Sequence, residues 1–216
     1  EIEYKWLGRF PAIQIGMLPP EKEDLLERSI SLAKDSDAVI LIVGTNSDWE
    51  TEGNDRSDIS LPGKQDVLIE KVCKANPNTV VVLNTGSPCS MPWLDEANSV
   101  LQVWFSGQEY GRAITDILFG EVNPSGKLPT TFPKKLKDTP AFPYYPGKDY
   151  QMNYEEGLYV GYRWYEKQAI EPLFPFGHGL SYTHFEYSNL RIIPPKKEDS
   201  VITFETTISN KGKYKG

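Results

Sequence analysis

Between Gly44 and Arg56 the sequence reads Gly-Thr-Asn-Ser-Asp-Trp-Glu-Thr-Glu-Gly-Asn-Asp-Arg, so Asp48, Glu50, Glu52 and Asp55 crowd around Trp49 in one short passage. Carboxylates without metal ligands beside them suit the cleavage of a glycosidic bond. One carboxylic acid protonates the leaving oxygen, and a second carboxylate, as nucleophile or base, meets the developing oxocarbenium. Trp49 adds a flat apolar face on which a pyranose ring can stack. Other chemistries fit worse. There is no GxxxxGK(S/T) and no GxGxxG at a strand-to-helix turn to cradle a nucleotide. His178 and His184 lie far from the acidic passage, neither has a serine partner in a G-x-S-x-G elbow, and both read as structural. Cys73 and Cys89 are too few for a disulfide framework or a zinc site, and Cys73 reads as core packing. The plainer reading of the acidic passage is a solvated face in which Asp55 and Arg56 form an ordinary ion pair.

Three apolar runs frame this passage and its counterparts. Ala38 to Val43, Thr79 to Leu83 and Val100 to Phe105 are continuous and rich in β-branched residues. Strands buried on both faces of a parallel sheet read this way. Helical segments separate them. One is expected over Glu21 to Lys34, with Pro20 in its first turn and Leu26, Ile30 and Ala33 in line; others over 64–75, briefly near Trp93 to Ala97, and over 109–119. Strand alternating with helix predicts an α/β fold, a largely parallel sheet sandwiched by helices. In an open parallel sheet the loops that leave the C-terminal ends of the strands share one edge, where ligands bind. That edge would gather Asp48, Trp49, Glu50, Glu52, Asp55 and Arg56 with Asn84, Gln108 and Glu109. Glu50 and Glu52 stand two residues apart, so in an extended loop both point the same way and geometry does not separate them.

Beyond Gly120 the pattern changes. Pro133 to Gly157 is a long loop rich in Pro and Tyr, of the kind that is functional or packed on a neighbour. Leu158 to Tyr165 can form a strand, and Tyr182 to Ile193 and Val201 to Ser209 read as successive β-strands. Residues 1–18 alternate at Ile2, Tyr4 and Trp6, which reads as a strand of a different unit, cut off by Pro19-Pro20.

Composition narrows the partners. The 216 residues carry a net charge of −7, which on average repels a nucleic-acid backbone or an anionic membrane, and no run of 18 apolar residues could span one. Five Trp and twelve Tyr are an aromatic excess that either sugar binding or a Tyr-rich core and interface would use. No signal peptide is visible, but the chain starts at Glu1 rather than Met, which leaves a processed or omitted N-terminus open. No Asn-x-Ser/Thr acceptor lacks an intervening Pro, so a cytoplasmic location is expected ahead of a secreted or periplasmic one.

Six stretches now become specific together. Glu52-Gly-Asn-Asp-Arg56 precedes Leu61-Pro-Gly-Lys-Gln65. Gly107-Gln-Glu109 precedes Asn123-Pro-Ser-Gly-Lys-Leu-Pro129. Tyr154-Glu-Glu-Gly-Leu-Tyr-Val-Gly-Tyr-Arg163 and Phe174-Pro-Phe-Gly-His-Gly-Leu-Ser-Tyr182 follow. In this order, over about residues 20–185, they resemble the second, α/β domain of glycoside hydrolase family 3. The resemblance implies a retaining β-glucosidase acting on a β-glucoside or oligosaccharide. Glu52 would be the acid/base, and Trp49 and Glu50 would bind substrate. The Asp nucleophile would lie on a (β/α)8 barrel domain of the same parent chain, and the pattern Glu-(Gly/Ala)-x-x-Arg is what favours Glu52 over Glu50. Ser47-Asp48-Trp49 looks like the family's nucleophile signature but falls in the wrong domain. Asp55 and Arg56 are expected to hold the loop rather than touch sugar.

No metal or organic cofactor is implied, and a homo-oligomer is compatible with the family. By the same resemblance residues 1–18 end a preceding or inserted β-domain, 19–181 are an incomplete α/β domain, and 182–216 begin a fibronectin type III-like all-β domain. The alternatives are a β-xylosidase or α-arabinofuranosidase of the same family, or a non-catalytic carbohydrate-binding module.

Overall fold

A computed structural model describes residues 24–53, 55–195 and 201–216. The strand expected within 1–18 and the start of the helix expected from Glu21 lie outside the described residues. Helix α1, Leu25–Lys34, is capped by Asp24, whose carboxylate accepts the Leu26 N–H at 2.9 Å. An acceptor at this position satisfies one of the helix's free N-terminal donors.

Strands β1 (Val39–Gly44), β2 (Thr79–Asn84) and β3 (Ser99–Gln102) form one parallel sheet in the order β1-β2-β3. Val39 to Gly44 pair in register with Thr79 to Asn84, and Val80 to Leu83 with Ser99 to Gln102. The central strand explains the unbroken apolar run: Val81, Val82 and Leu83, which face opposite sides of the sheet in turn, are all fully buried. Each such side chain contributes about 1.5–3 kcal/mol of burial. Val81 and Leu83 look into a core built with Val43, Ile69 and Cys73 and closed by Trp93 and Phe132. Ile69, Val72 and Cys73 are the buried stripe of helix α2, Gln65–Ala75, which packs on β1, β2 and α1. At the edge strand β1, Ile40 and Ile42 stay about half exposed. The α/β architecture read from the strand-helix alternation is present.

Some boundaries differ from the expected ones. β3 stops at Gln102 rather than Phe105, and Trp104 takes a left-handed φ of 55°, which ends a strand and turns its ring edge-on to Phe132 at 5.9 Å. The strand expected over 158–165 is absent. Leu158 to Val160 lie in an exposed turn, Gly161 adopts φ 57°, and helix α4, Tyr162–Gln168, follows with Tyr165 buried. A residue of that φ interrupts any extended run, and glycine adopts it freely. Helix α3, Tyr110–Leu118, matches the expected segment closely. Strands β4 (Phe185–Ile193) and β5 (Thr203–Asn210) form a small separate antiparallel sheet, with an irregularity between Ser188 and Arg191. Among the described residues no helix is long and apolar enough to cross a membrane.

Candidate active site

The parallel register puts Gly44, Asn84 and Gln102 at one end of the sheet, so the loops after β1, β2 and β3 leave from one edge. Side chains lash them together. Gln65 both accepts the Gly44 N–H at 2.7 Å and donates to the Gly44 carbonyl at 2.9 Å, so the end of β1 is fixed to the start of α2. Gln102 donates to the carbonyl and hydroxyl oxygens of Thr85 at 3.2 and 3.1 Å.

The acidic passage begins as a wound turn, not as an extended loop. Asn46 sets it. Its side chain accepts the Asp48 N–H at 3.0 Å, and its carbonyl accepts the N–H groups of Trp49 at 3.0 Å and Glu50 at 2.9 Å. An Asn side chain that satisfies backbone two residues on is a turn initiator. The two glutamates therefore do not share an orientation. Glu50 Oε1 accepts hydrogen bonds from the Thr45 hydroxyl and, at 3.1 Å, from the Gly86 N–H. Arg56 Nη1 lies 4.0 Å from the same oxygen, and both side chains are largely buried, 15% and 17% exposed. Glu52 is exposed in the following turn, and Gly53 beside it has φ 83°.

Asp55 and Arg56, expected as an ion pair on the plainer reading, part company. Arg56 turns to Glu50, to the Ser60 carbonyl at 2.9 Å and to Ser87 Oγ at 3.4 Å. Asp55 accepts a hydrogen bond from the Tyr145 hydroxyl, and that bond to a carboxylate holds the Tyr145 phenol above its usual pKa. Trp49 stays 41% exposed and lines a cleft of about 320 Å³ with Gly44, Asn46, Pro62, Gln65 and Asn84. Gln108 and Glu109 are exposed where α3 begins.

Thr45, Gly86, Ser87 and Tyr145 were not singled out in the sequence. Thr45 carries a usable signal, a hydroxyl directly after a buried strand, whereas Tyr145 is 90 residues from its partner. Among the described residues no three His, Cys, Asp or Glu side chains are grouped to hold a metal ion. His178 packs on Phe174 with ring centroids 4.9 Å apart. Burial pushes the Cys89 thiol up to about 12, so it stays protonated and inert.

The edge of the parallel sheet where these loops leave thus carries carboxylates, amides and an exposed indole. Residues 20–182 match the family model described as the glycosyl hydrolase family 3 C-terminal domain, and the chain belongs to that family. It is 47% identical over 195 residues to thermostable beta-glucosidase B of Acetivibrio thermocellus, a match covering 90% of this chain and 26% of that protein. It is 44% identical over 209 residues to a beta-glucosidase of Rhizobium radiobacter, covering 95% and 26% respectively. Among solved structures it resembles DesR, a beta-glucosidase from Streptomyces venezuelae in complex with D-glucose. The TM-score is 0.81 at 42% identity, over 87% of this chain and 24% of that one. The Bifidobacterium adolescentis GH3 beta-glucosidase gives a TM-score of 0.81 at 35% identity, over 91% and 29%. The chain thus spans about a quarter of the length of the relatives it matches.

Proposed function

We propose that this chain is the acid/base-bearing part of a retaining β-glucosidase that releases terminal β-D-glucosyl residues. Glu52 is the general acid/base. It protonates the glycosidic oxygen as the bond breaks and then activates the water that releases the glycosyl intermediate. The nucleophile is an Asp on a barrel domain of the longer parent chain, with the two carboxyl groups ~5–5.5 Å apart as retention requires. Trp49 offers its exposed ring to a sugar face. The observation that carries the reading is the contrast between the two glutamates. Glu50 is turned inward onto Thr45, Gly86 and Arg56, while Glu52 is exposed at the ligand-binding edge, with no hydrogen-bond or ionic partner among the described residues. The beta-glucosidase names of the relatives favour a glucoside over the xyloside and arabinofuranoside alternatives.

The test compares this 216-residue chain with the longer protein on aryl β-glucoside, β-xyloside and α-arabinofuranoside, following the product anomer by NMR. The longer protein should turn over the β-glucoside fastest and release β-glucose first. The chain alone holds one of the two carboxylates and should match the buffer blank, since losing the nucleophile removes the covalent route. Enzyme-like turnover by the chain alone would mean that a second carboxylate within it, such as Asp48, completes the site. Release of α-glucose first would refute retention.

A further inference from the structure

We infer that Glu50 is a positioning residue: its buried carboxylate pins the loop that carries Glu52 onto the β2 loop. This rests on the assignment of Glu52 as acid/base and gives Glu50 a different part from the sugar contact expected of it. Three groups converge on Glu50 Oε1 from two different loops. The Thr45 hydroxyl comes from the β1 end, the Gly86 N–H at 3.1 Å comes from the β2 end, and Arg56 stands 4.0 Å away on the far side of the Glu52 turn. Arg56 in turn reaches Ser60 and Ser87. The turn bearing Glu52 is therefore clamped at both feet, by Glu50 before it and Arg56 after it, to the same neighbouring loop. Hydrogen bonds to an ionised carboxylate are the stronger kind, and this one is only 15% exposed.

Gly86 is the other half of the clamp. A Cβ at this position would stand 2.4 Å from Glu50 Oε2 and 2.8 Å from the Phe105 ring. Real Cβ atoms do not tolerate such distances, so a side chain here must push Glu50 aside. Glycine is needed at position 86 to admit the carboxylate.

A misplacement of about 1 Å in a catalytic group can cost about 100-fold in rate. In the full-length protein, Glu50→Ala should therefore lower kcat on an alkyl or disaccharide glucoside by about 10–100-fold, with KM little changed. The first step on a dinitrophenyl glucoside, which needs no proton, should stay within about threefold of wild type. Glu50→Gln keeps the acceptor oxygen for Thr45 and Gly86 and should retain at least about a third of the activity, while Gly86→Ala should reproduce the Glu50→Ala pattern. The deciding measurement is the cycle with Glu52→Ala. A residue that acts only through Glu52 has nothing to position once Glu52 is gone, so Glu50→Ala should change the Glu52→Ala rate less than about threefold. If Glu50→Ala does not fold, Gly86→Ala, which deletes no hydrogen-bonding side chain, carries the same cycle. Additive losses in that cycle, or equal losses on both leaving groups, would overturn the positioning role while leaving Glu52's assignment intact. The Glu52→Ala single variant tests the assignment separately, because a deficit there that ignores the leaving group removes Glu52 as the acid. Azide rescue of Glu50→Ala with no rescue of Glu52→Ala would make Glu50 the acid/base and overturn both.

Discussion

Asp66 shows what one half-buried carboxylate costs and what it supports. It lies in the first turn of α2 and accepts the indole N–H of Trp93 at 2.8 Å, and Trp93 is 2% exposed, so that donor has no access to water. Burial raises the Asp66 pKa above its ordinary value, with the Trp93 and Leu61 hydrogen bonds opposing it. A carboxyl group whose folded pKa is raised binds its proton more tightly in the native state. Its ionisation therefore costs stability as pH rises through the ordinary carboxylate range and the raised folded value, and costs nothing well below. Asp66→Asn keeps an acceptor for Trp93 and removes the charge, so it should raise the unfolding temperature at neutral pH, with the gain fading as pH falls below about 4. Asp66→Ala strands the indole and should lower stability by about 1–3 kcal/mol where the carboxyl is protonated, and by less at neutral pH, where the cost of ionising Asp66 is removed with it. Thermal unfolding across pH checks both signs. The Glu50 and Glu52 pair belongs to the same scale. The sequence brings them together but does not separate them, because their divergence depends on the turn wound by Asn46. The sequence alone suggests an extended loop and gives Asn46 no part in it, and the link from Asp55 to Tyr145 spans 90 residues and leaves no local trace.

Between elements, Asn76 joins the two helices of one layer. It follows the last residue of α2, and its side-chain amide donates to the Ala33 carbonyl at 2.9 Å and the Ser36 carbonyl at 2.7 Å, just where α1 ends. Its side-chain oxygen accepts the Asn78 N–H at 2.9 Å, which sets the entry into β2. Helix ends leave carbonyls without intrahelical partners, and Asn76 supplies donors to that end of α1 in a buried position. Asn76→Ala should therefore loosen α1 against α2 at a cost of about 2–3 kcal/mol. The expected readout is faster amide hydrogen exchange over residues 25–34 with protection in β2 retained. Unchanged exchange in α1 would show that apolar packing alone holds it. At this scale the sequence is read best where burial is two-sided. The run at 79–84 is the central strand, where positions on both faces meet protein, whereas 39–44 forms its strand at the sheet edge with Ile40 and Ile42 about half exposed. It is read worst at 158–165, where aromatic and β-branched residues imitate a strand. What decides there is the positive φ of Gly161, which a glycine permits but its presence in the sequence does not dictate.

Across the whole molecule the two sheets differ in how complete they are. The parallel sheet has a closed core, whereas β4 and β5 leave Tyr187, Ile192, Phe204 and Ile208 more than half exposed. A two-stranded sheet is marginal alone. This supports the proposal that residues 182–216 begin a larger β-unit. On the proposed mechanism, Glu52 supplies the proton and later the base to a reaction completed from outside this chain. This is tested most directly in the full-length protein carrying Glu52→Ala, assayed on a dinitrophenyl glucoside with and without azide. That leaving group departs without protonation, so the glycosyl intermediate should form at nearly the wild-type rate and then accumulate for want of a base. Azide needs no base and should restore turnover and yield β-glucosyl azide, while an alkyl glucoside should be turned over about 10²–10⁴-fold more slowly than by wild type. Absence of any azide adduct, with equal losses on both substrates, would contradict the account.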